Sequence, residues 1–457
     1  MVRLFNRYLP LRVFIFVGID ALSLMAITTL CLLAATNWVT ARSIQGVLLI
    51  LSTGGLCVTA LYFFDLYDLD LTRYSRDIIS GTMRAVGAGA LFLAPLSLLF
   101  GHMGLKARYL EAGLVIALLV VCSYRIGYDF VASHIPNGER ILLIGEGRVI
   151  NSLARKVREQ SCLPLHLVAV MSSAKASDAF GCTTDRNAEL DNLIASFRPA
   201  RIAIDRSLES DVISPAHLIQ LRQRGIRIED AAALYEAMTA RVPVEMLQAP
   251  NFAFGPGFCF APWRAAVHRA IDCMAAILLL LLTWPLFLLI TLWVKLDSKG
   301  PAFYKQERVG LHNKLFYVIK FRSMRTDAET ASGPVWAQQK DSRITRCGRI
   351  LRTLRLDELP QFWNVLRGDM SLVGPRPERD HFVNMLRVEI PFYDLRHSVR
   401  PGITGWAQVC APYGASIEES LAKVEYDLFY LKNKSIFFDA FILVRTAKVC
   451  LLGKGSR

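Results

Sequence analysis

Long apolar runs decide what this chain can fold into. Residues 13–35, 44–64, 83–100 and 110–131 carry few charges. Each approaches the ~20 residues a helix needs to cross the hydrocarbon core of a bilayer. In lipid the backbone polar groups must be satisfied inside the segment, so such runs form helices. The first run follows Arg3, Arg7 and Arg12, is too long for the apolar region of a secretory leader and is followed by others, so it reads as the first span. Together the four runs predict a four-helix transmembrane domain over 1–135. Asp20, Glu111 and Arg125 lie within or near the runs. Pairing inside the bundle, or snorkelling, explains them better than an ion pathway. Arginines before the first run, at 73, 76 and 84, and at 140 and 148 put the N-terminus and the region after the fourth run in the cytoplasm.

From Arg140 the composition becomes that of a soluble α/β protein. A buried strand, a glycine turn and an amphipathic helix are followed by strand-like runs at 165–171 and 200–205, and a helix fits 216–224. This alternation predicts a parallel sheet, in a Rossmann-like cytosolic domain over 138–250. Gly145 and Gly147 open a G-x-G-x-x-G pattern, but Ile150 stands at the third glycine, so the nucleotide-binding signal is degenerate. Residues 251–266 read as a linker. The next apolar segment, 267–296, holds Pro285 past its middle. Proline removes a helical hydrogen bond, and a full crossing would carry everything after it away from the cytosol. The segment is therefore expected to be re-entrant, a helix broken at Pro285 with both ends at one surface.

Residues 297–457 form a basic, mixed α/β region. Paired strands are expected at 303–310 and 314–324, a basic amphipathic helix at 341–355, a glycine-broken turn leading into a strand at 400–409, and helix from Ser416 onward. The chain of 457 residues has a net charge of +14, which suits anionic lipid headgroups or phosphorylated ligands. Nucleic acid is not expected as a partner, because no basic patch with interleaved aromatics or zinc-finger spacing occurs. The ten cysteines are scattered singly, which argues against a disulfide framework or a zinc site.

Residues 351–378 concentrate the chemistry. Asp357 and Glu358 are adjacent, arginines stand at 352, 355, 367 and 376, and Gly374-Pro375-Arg376-Pro377 closes the run. Pro360 suits the first turn of a helix, so a helix is expected to begin near Asp357, with Asp357 at or beside its N-cap. A carboxylate pair among fixed cations is what handling a phosphate with a divalent metal requires. The plainer alternative is an ordinary capping Asp with surface ion pairs. Lys320 and Arg322 alternate with Phe321 on a strand, so both are expected on one side, toward phosphates or toward solvent. Arg400 either meets a phosphate or shapes its turn. His268 and His397 have no ligand spacing and read as structural or surface residues.

The segments FYKQERVG, KFRSM, RLDELPQFWNVLRGDMSLVGPRPE and RPGITGWAQV, in this order, resemble the bacterial sugar transferase family, the monotopic phosphoglycosyl transferases. The match covers roughly 264–450. The four spans and the Rossmann-like domain are similar to the long form, which starts exopolysaccharide or O-antigen units. The resemblance implies transfer of a sugar-1-phosphate from a UDP-sugar to undecaprenyl phosphate at the bacterial inner membrane, with UMP released. It implies Asp357 as nucleophile, Glu358 beside it as a ligand of Mg²⁺, Arg352 and Arg376 as phosphate-binding residues, and Pro285 as the re-entrant proline. Trp284 stands where the family often has Ser before that proline, so the Thr283 hydroxyl is expected to replace it in relieving the bend. A homodimer is compatible with this organisation. Two other readings compete: a membrane-bound nucleotide-sugar dehydratase or epimerase, against which the absence of a Tyr-x-x-x-Lys pair in 140–250 counts, and a non-catalytic scaffold of polysaccharide assembly, against which the intact acid pair counts.

Overall fold

The apolar runs fold as helices α1 (Leu11–Ala35), α2 (Ile44–Phe63), α3 (Ser75–Leu99) and α4 (Ala107–His134). The computed structural model describes residues 2–4, 7–9, 11–35, 43–67, 75–99, 107–134, 138–159, 165–171, 186–205, 213–248, 250, 257–258, 261–325, 343–411 and 416–451. Among these, Val13–Ala34, Ile44–Phe63 and, further along the chain, Pro262–Asp297 are long and apolar enough to cross a membrane, and Ala112–Tyr128 is apolar but shorter. Each of α1 and α3 packs against both α2 and α4. Residues 251–256 and 259–260 of the expected linker, the side chain of Glu111 and position 73 lie outside the described residues.

A polar knot sits inside this bundle. Asp20 and Arg125, 0 % and 3 % exposed, pair at 2.5 Å. Tyr67 donates to Asp20 Oδ2 at 2.8 Å, and Tyr124 also donates to that carboxylate. Arg125 donates to the Leu66 carbonyl at 2.6 Å and lies 5.1 Å from the ring centres of Phe16 and Tyr67. Charges with this many partners are satisfied internally, which agrees with pairing inside the bundle.

The chain divides into two compact units, the first mainly Tyr8–Ile204 and Leu208–Glu229, the second mainly Asp230–Arg457. Beyond the helices the first unit contains a four-stranded sheet. Its strands are β1 (Glu139–Ile144), β2 (Leu165–Met171), β3 (Arg201–Ile204) and β4 (Arg227–Asp230), in the order β2-β1-β3-β4. Strand β1 runs parallel to both β2 and β3. Helices α5 (Gly147–Glu159), α6 (Arg186–Phe197) and α7 (Pro215–Gln223) alternate with the strands. This is the expected parallel α/β arrangement. Gly145 and Gly147, at φ 143° and 89°, take conformations that favour glycine as the chain turns from β1 into α5. Ile150, at the third glycine of the pattern, is buried on the inner face of α5 with Val149 and Leu153.

The second unit begins upstream of the expected linker. Helix α8 (Ala231–Thr239) is capped by Asp230, whose Oδ1 accepts from the Ala232 N–H at 2.8 Å. Ala240, Val242 and Val244 then enter the core of this unit, where the Trp406 indole donates to the Ala240 carbonyl at 3.1 Å.

Helix α9 (Pro262–Asp297) comes next as one element. Helical structure continues on both sides of Pro285, so the expected break does not end the helix, and a re-entrant path would need a bend inside it. The missing N–H removes one bond of the ladder and leaves its neighbours in place. Thr283 donates its hydroxyl to the Leu279 carbonyl at 2.6 Å, within the same helix. Burial along α9 is uneven. Asp272, Ala276, Ile290 and Val294 are buried, whereas Leu281, Leu282, Trp284, Leu288 and Leu289 between them are exposed.

Strands β5 (Phe303–Val309) and β6 (Leu315–Phe321) form the expected antiparallel hairpin. Asn364 covers the far edge of β6, accepting from the Ile319 N–H at 3.0 Å and donating to the Tyr317 carbonyl at 2.7 Å. The basic helix is shorter than expected, α10 (Arg346–Thr353), and residues 341–342 lie outside the described residues. Thr345 caps it through a 3.0 Å bond from the Gly348 N–H, and Ile344 is already paired with Met324. A short turn of 3₁₀ helix, Leu356–Glu358, separates α10 from α11 (Gln361–Arg367). Strand β7 (Ser371–Val373) pairs in parallel with β8 (Gly402–Thr404). The chain leaves β8 into helix α12 (Trp406–Cys410) rather than into the expected strand. Trp406 lies against the rings of Phe429, Phe438 and Phe441, and a helix turns its indole into that cluster. The C-terminal part is helical as expected, with α13 (Ile417–Asn433), opened by a Ser416/Glu419 capping box, and α14 (Ile436–Leu451).

Candidate active site

The acid pair sits at an interruption of helix. Arg355 takes a left-handed conformation at φ 55°, which ends α10 and starts the 3₁₀ turn carrying Asp357 and Glu358. Asp357 is therefore not the N-cap of the following helix; that position belongs to Pro360, and α11 starts at Gln361. The turn sets the two acids in different surroundings.

Glu358 is held by two cations. Arg376 donates to its Oε1 at 2.8 Å, and the Lys320 ammonium lies 3.4 Å from the same oxygen. Burial alone would raise the Glu358 carboxyl, but Arg376, Lys320 and Arg355 hold it well below the ordinary carboxylate range. The Lys320 ammonium is pushed down by burial, against the opposing pull of Glu358.

Asp357 is 8 % exposed and has no hydrogen bond or ion pair among the described residues. Burial, and then the charge of Glu358, raise its carboxyl, while Lys320, Arg352 and Arg376 pull the other way. An unpaired carboxylate held in this way costs stability, which makes Asp357 a candidate for chemistry rather than for structural support.

Arg352 projects from the last turn of α10, where its Nε donates to Ser323 Oγ at 2.9 Å. The helix can come this close because position 348 is glycine: a Cβ there would stand 2.0 Å from the Ser323 carbonyl oxygen. Arg376 arrives on the Gly374–Pro377 loop after β7. Gly374, Gly402 and Gly405 allow the loop to lie directly on β8, since a Cβ on any of them would come within 2.5 Å of backbone.

Five of the expected residues, Asp357, Glu358, Lys320, Arg352 and Arg376, thus converge, linked by contact or by mutual electrostatic influence. Arg322 does not join them. It lies just past the end of β6, and its guanidinium donates to the carbonyls of Val294, at 3.3 Å, and Lys299, at 3.0 Å, at the end of α9. The alternation inferred from a strand fails because the strand stops at Phe321. Arg400 donates its Nε to the Gly368 carbonyl at 3.0 Å, the turn-shaping alternative. Pro285 lies within α9, away from this cluster in sequence and without a polar contact to it among the described residues. His268 pairs with Asp439 at 2.9 Å and His397 is buried beside Tyr393. Ser323, Arg308 and Arg396, which support the cluster, were not singled out by sequence; Arg308 was visible only as a charge in an otherwise assigned motif.

Fold and site together define a class: a membrane-embedded α/β protein with a buried acid pair among fixed cations. The family model described as Bacterial sugar transferase matches residues 263–453, which include every residue of that site. A sugar transferase of Bacillus subtilis described as uncharacterized is 42 % identical over 193 residues, 41 % of this chain and 89 % of the relative. The chain belongs to the bacterial sugar transferase family. The UDP-N-acetylgalactosamine-undecaprenyl-phosphate N-acetylgalactosaminephosphotransferase of Aeromonas hydrophila is 44 % identical over 222 residues, 49 % of this chain and 52 % of the relative. The undecaprenyl-phosphate glucose phosphotransferase of Komagataeibacter xylinus is 33 % identical over 324 residues, 68 % of this chain and 58 % of the relative. The chain thus spans little more than half the length of these two relatives.

Proposed function

We propose that the second unit transfers a sugar-1-phosphate from a UDP-sugar to undecaprenyl phosphate, the first membrane step of an exopolysaccharide or O-antigen pathway. The observation that carries this reading is the difference between the two acids. Glu358 is bound by Arg376 and Lys320, whereas Asp357 is buried, adjacent and unpaired among the described residues. Family membership and the names of the two relatives point to the same substrates.

The lipid phosphate is already an anion near neutral pH, so the reaction needs no general base, and a free carboxylate is most useful as a nucleophile. An Asp357 oxygen attacks the phosphorus that bears the sugar. The bond from that phosphorus to the bridging oxygen breaks, and UMP leaves with the electron pair. A phosphate oxygen of undecaprenyl phosphate then attacks the same phosphorus and expels Asp357, giving the lipid-linked diphosphosugar. Releasing UMP first means that the site never holds both polyanionic substrates at once. Arg352, Arg376 and Lys320 neutralise phosphate charge and orient the group under attack.

The acid pair fits Mg²⁺. Both residues offer hard oxygen donors, and Asp357 has no protein partner among the described residues. No cluster of three or more acidic, His or Cys ligands occurs among those residues, so an ion held here would need substrate phosphates and water to complete its shell. Asp357 and Glu358 would hold the ion, which when bound supplies Lewis-acid stabilisation of phosphoryl charge.

Four crossings by α1–α4 and a re-entrant α9 would bring this centre to the cytoplasmic face of the inner membrane, where UDP-sugars are found. Both ends of α9 dock on the transferase unit. Arg269 donates to the Leu366 carbonyl at 2.9 Å, and Asp272 accepts from Ser371 Oγ at 2.7 Å; at the other end Asp297 accepts from the Cys347 N–H at 3.2 Å. The exposed apolar middle between these docked ends is the part that would dip into lipid.

The test is UMP release by full-length protein in lipid nanodiscs, given a panel of UDP-sugars with undecaprenyl phosphate and Mg²⁺. One sugar should be consumed, chelation of the metal should stop release, and Asp357→Asn should lower turnover by at least about 10³-fold. An intact panel under these conditions would remove the proposal.

A further inference from the structure

The loop that delivers Arg376 is fixed in an unusual way. Pro375 and Pro377 have no N–H to give, so the segment cannot be held as a strand would be. It is held instead through four consecutive carbonyls. The Gly402 N–H donates to Pro375 O at 2.9 Å, Arg396 to Arg376 O at 3.0 Å, Arg308 to Pro377 O at 3.1 Å and the Val309 N–H to Glu378 O at 2.9 Å. Two of the four donors are guanidinium groups, and each is oriented in turn. Arg396 is buried, donates to the Tyr393 hydroxyl at 2.7 Å and pairs with buried Asp427 at 2.8 Å. Arg308 donates twice to Gln306 Oε1, at 2.7 and 3.2 Å, and lies 3.5 Å from Glu378.

Stability alone explains this poorly. A buried ion pair such as Arg396–Asp427 is often no more stabilising than apolar residues of the same volume. What it does supply is geometry: a planar fork with several fixed donors, which a lysine cannot reproduce. We infer that Arg396 and Arg308 are positioning residues, a two-sided clamp on the Pro-Arg-Pro loop that fixes where Arg376 meets Glu358 and the substrate phosphate. The inference rests on the reading of the acid pair as the transfer centre. Neither guanidinium needs to touch substrate; each acts through the backbone of the loop, and small displacements of an orienting group are costly to rate.

The experiment uses full-length protein in nanodiscs, with UMP release as the readout. Tyr393→Phe removes a single oxygen from the support of Arg396, and Arg308→Lys keeps the charge but loses the fork. Each should lower kcat about 5- to 10-fold, with KM for the UDP-sugar changed less than about 2-fold and the melting temperature nearly unchanged. In an Arg376→Lys background the same substitutions should cost less than about 2-fold, because the group they position has already been replaced. A full, additive loss in that background, or wild-type kcat in both single variants, would overturn the clamp while leaving the transfer reading intact. A folded wild-type protein that releases no UMP would instead overturn the transfer reading, and the clamp with it.

Discussion

At the residue scale the acidic and basic groups of the second unit divide by surroundings more than by type. His397 illustrates this. Burial, and then the nearby Arg396 charge, lower it from 6.5 to about 4, with Asp394 only partly opposing. The folded protein therefore keeps His397 neutral over a range in which the unfolded chain binds a proton. A group depressed in this way contributes stability above its unfolded value, and that contribution is lost as pH falls through the folded value. Stability should fall between about pH 6.5 and pH 4, by up to about 3 kcal/mol. Melting temperatures across that range should fall less steeply for His397→Asn than for wild type; parallel slopes would show that His397 does not carry the effect. Glu358 is also depressed, but its window lies at lower pH, so it stays ionised wherever the protein is handled. The acid pair was readable in the sequence because its members are neighbours flanked by arginines. Arg322 was misassigned because its task depends on where β6 ends. Arg396 and Asp427 were not legible, because their pairing joins distant parts of the chain and no local pattern marks it.

At the scale of elements, periodicity served well where an element's own faces decide its burial. The C-terminal helices form where the pattern puts them. It failed where a neighbour intervenes. The basic helix starts late because Ile344 is claimed by a bridge to Met324, and the segment after β8 becomes α12 because Trp406 must reach an aromatic cluster. Helix α9 is the element on which membrane topology turns. Arg269 and Asp297 are separated by about 28 residues, which would span roughly 42 Å in a straight helix. Both are nevertheless bonded to the same unit, and a proline lies between them. Reporters fused after Lys295, and on the other side before Pro262, should both read as cytoplasmic. Opposite readings at the two positions would make α9 a full crossing and remove the re-entrant path.

At the scale of the molecule, the sequence separates a lipid-facing part from a soluble part through composition alone, and the alternation of strand and helix gives the parallel sheet. The division between the two units was harder to read. Residues 240–244 look like a continuation of the alternating α/β segment, yet Ala240, Val242 and Val244 enter the core that holds Trp406. The buried Asp20–Arg125 pair shows the same limit: the sequence exposes two charges within apolar runs, and only packing reveals that they belong to each other. The central claim concerns the whole protein at its membrane, with Asp357 carrying the phosphosugar between donor and acceptor. Its most direct test is mass spectrometry of the full-length protein, acid-quenched after exposure to its UDP-sugar and Mg²⁺ with no lipid acceptor. The account predicts a mass increase of one phosphosugar, the sugar being that of the UDP-sugar consumed, mapped to Asp357, lost on adding undecaprenyl phosphate and absent from Asp357→Asn. Transfer that proceeds without that adduct, at an undiminished rate in the Asp357→Asn variant, would contradict it.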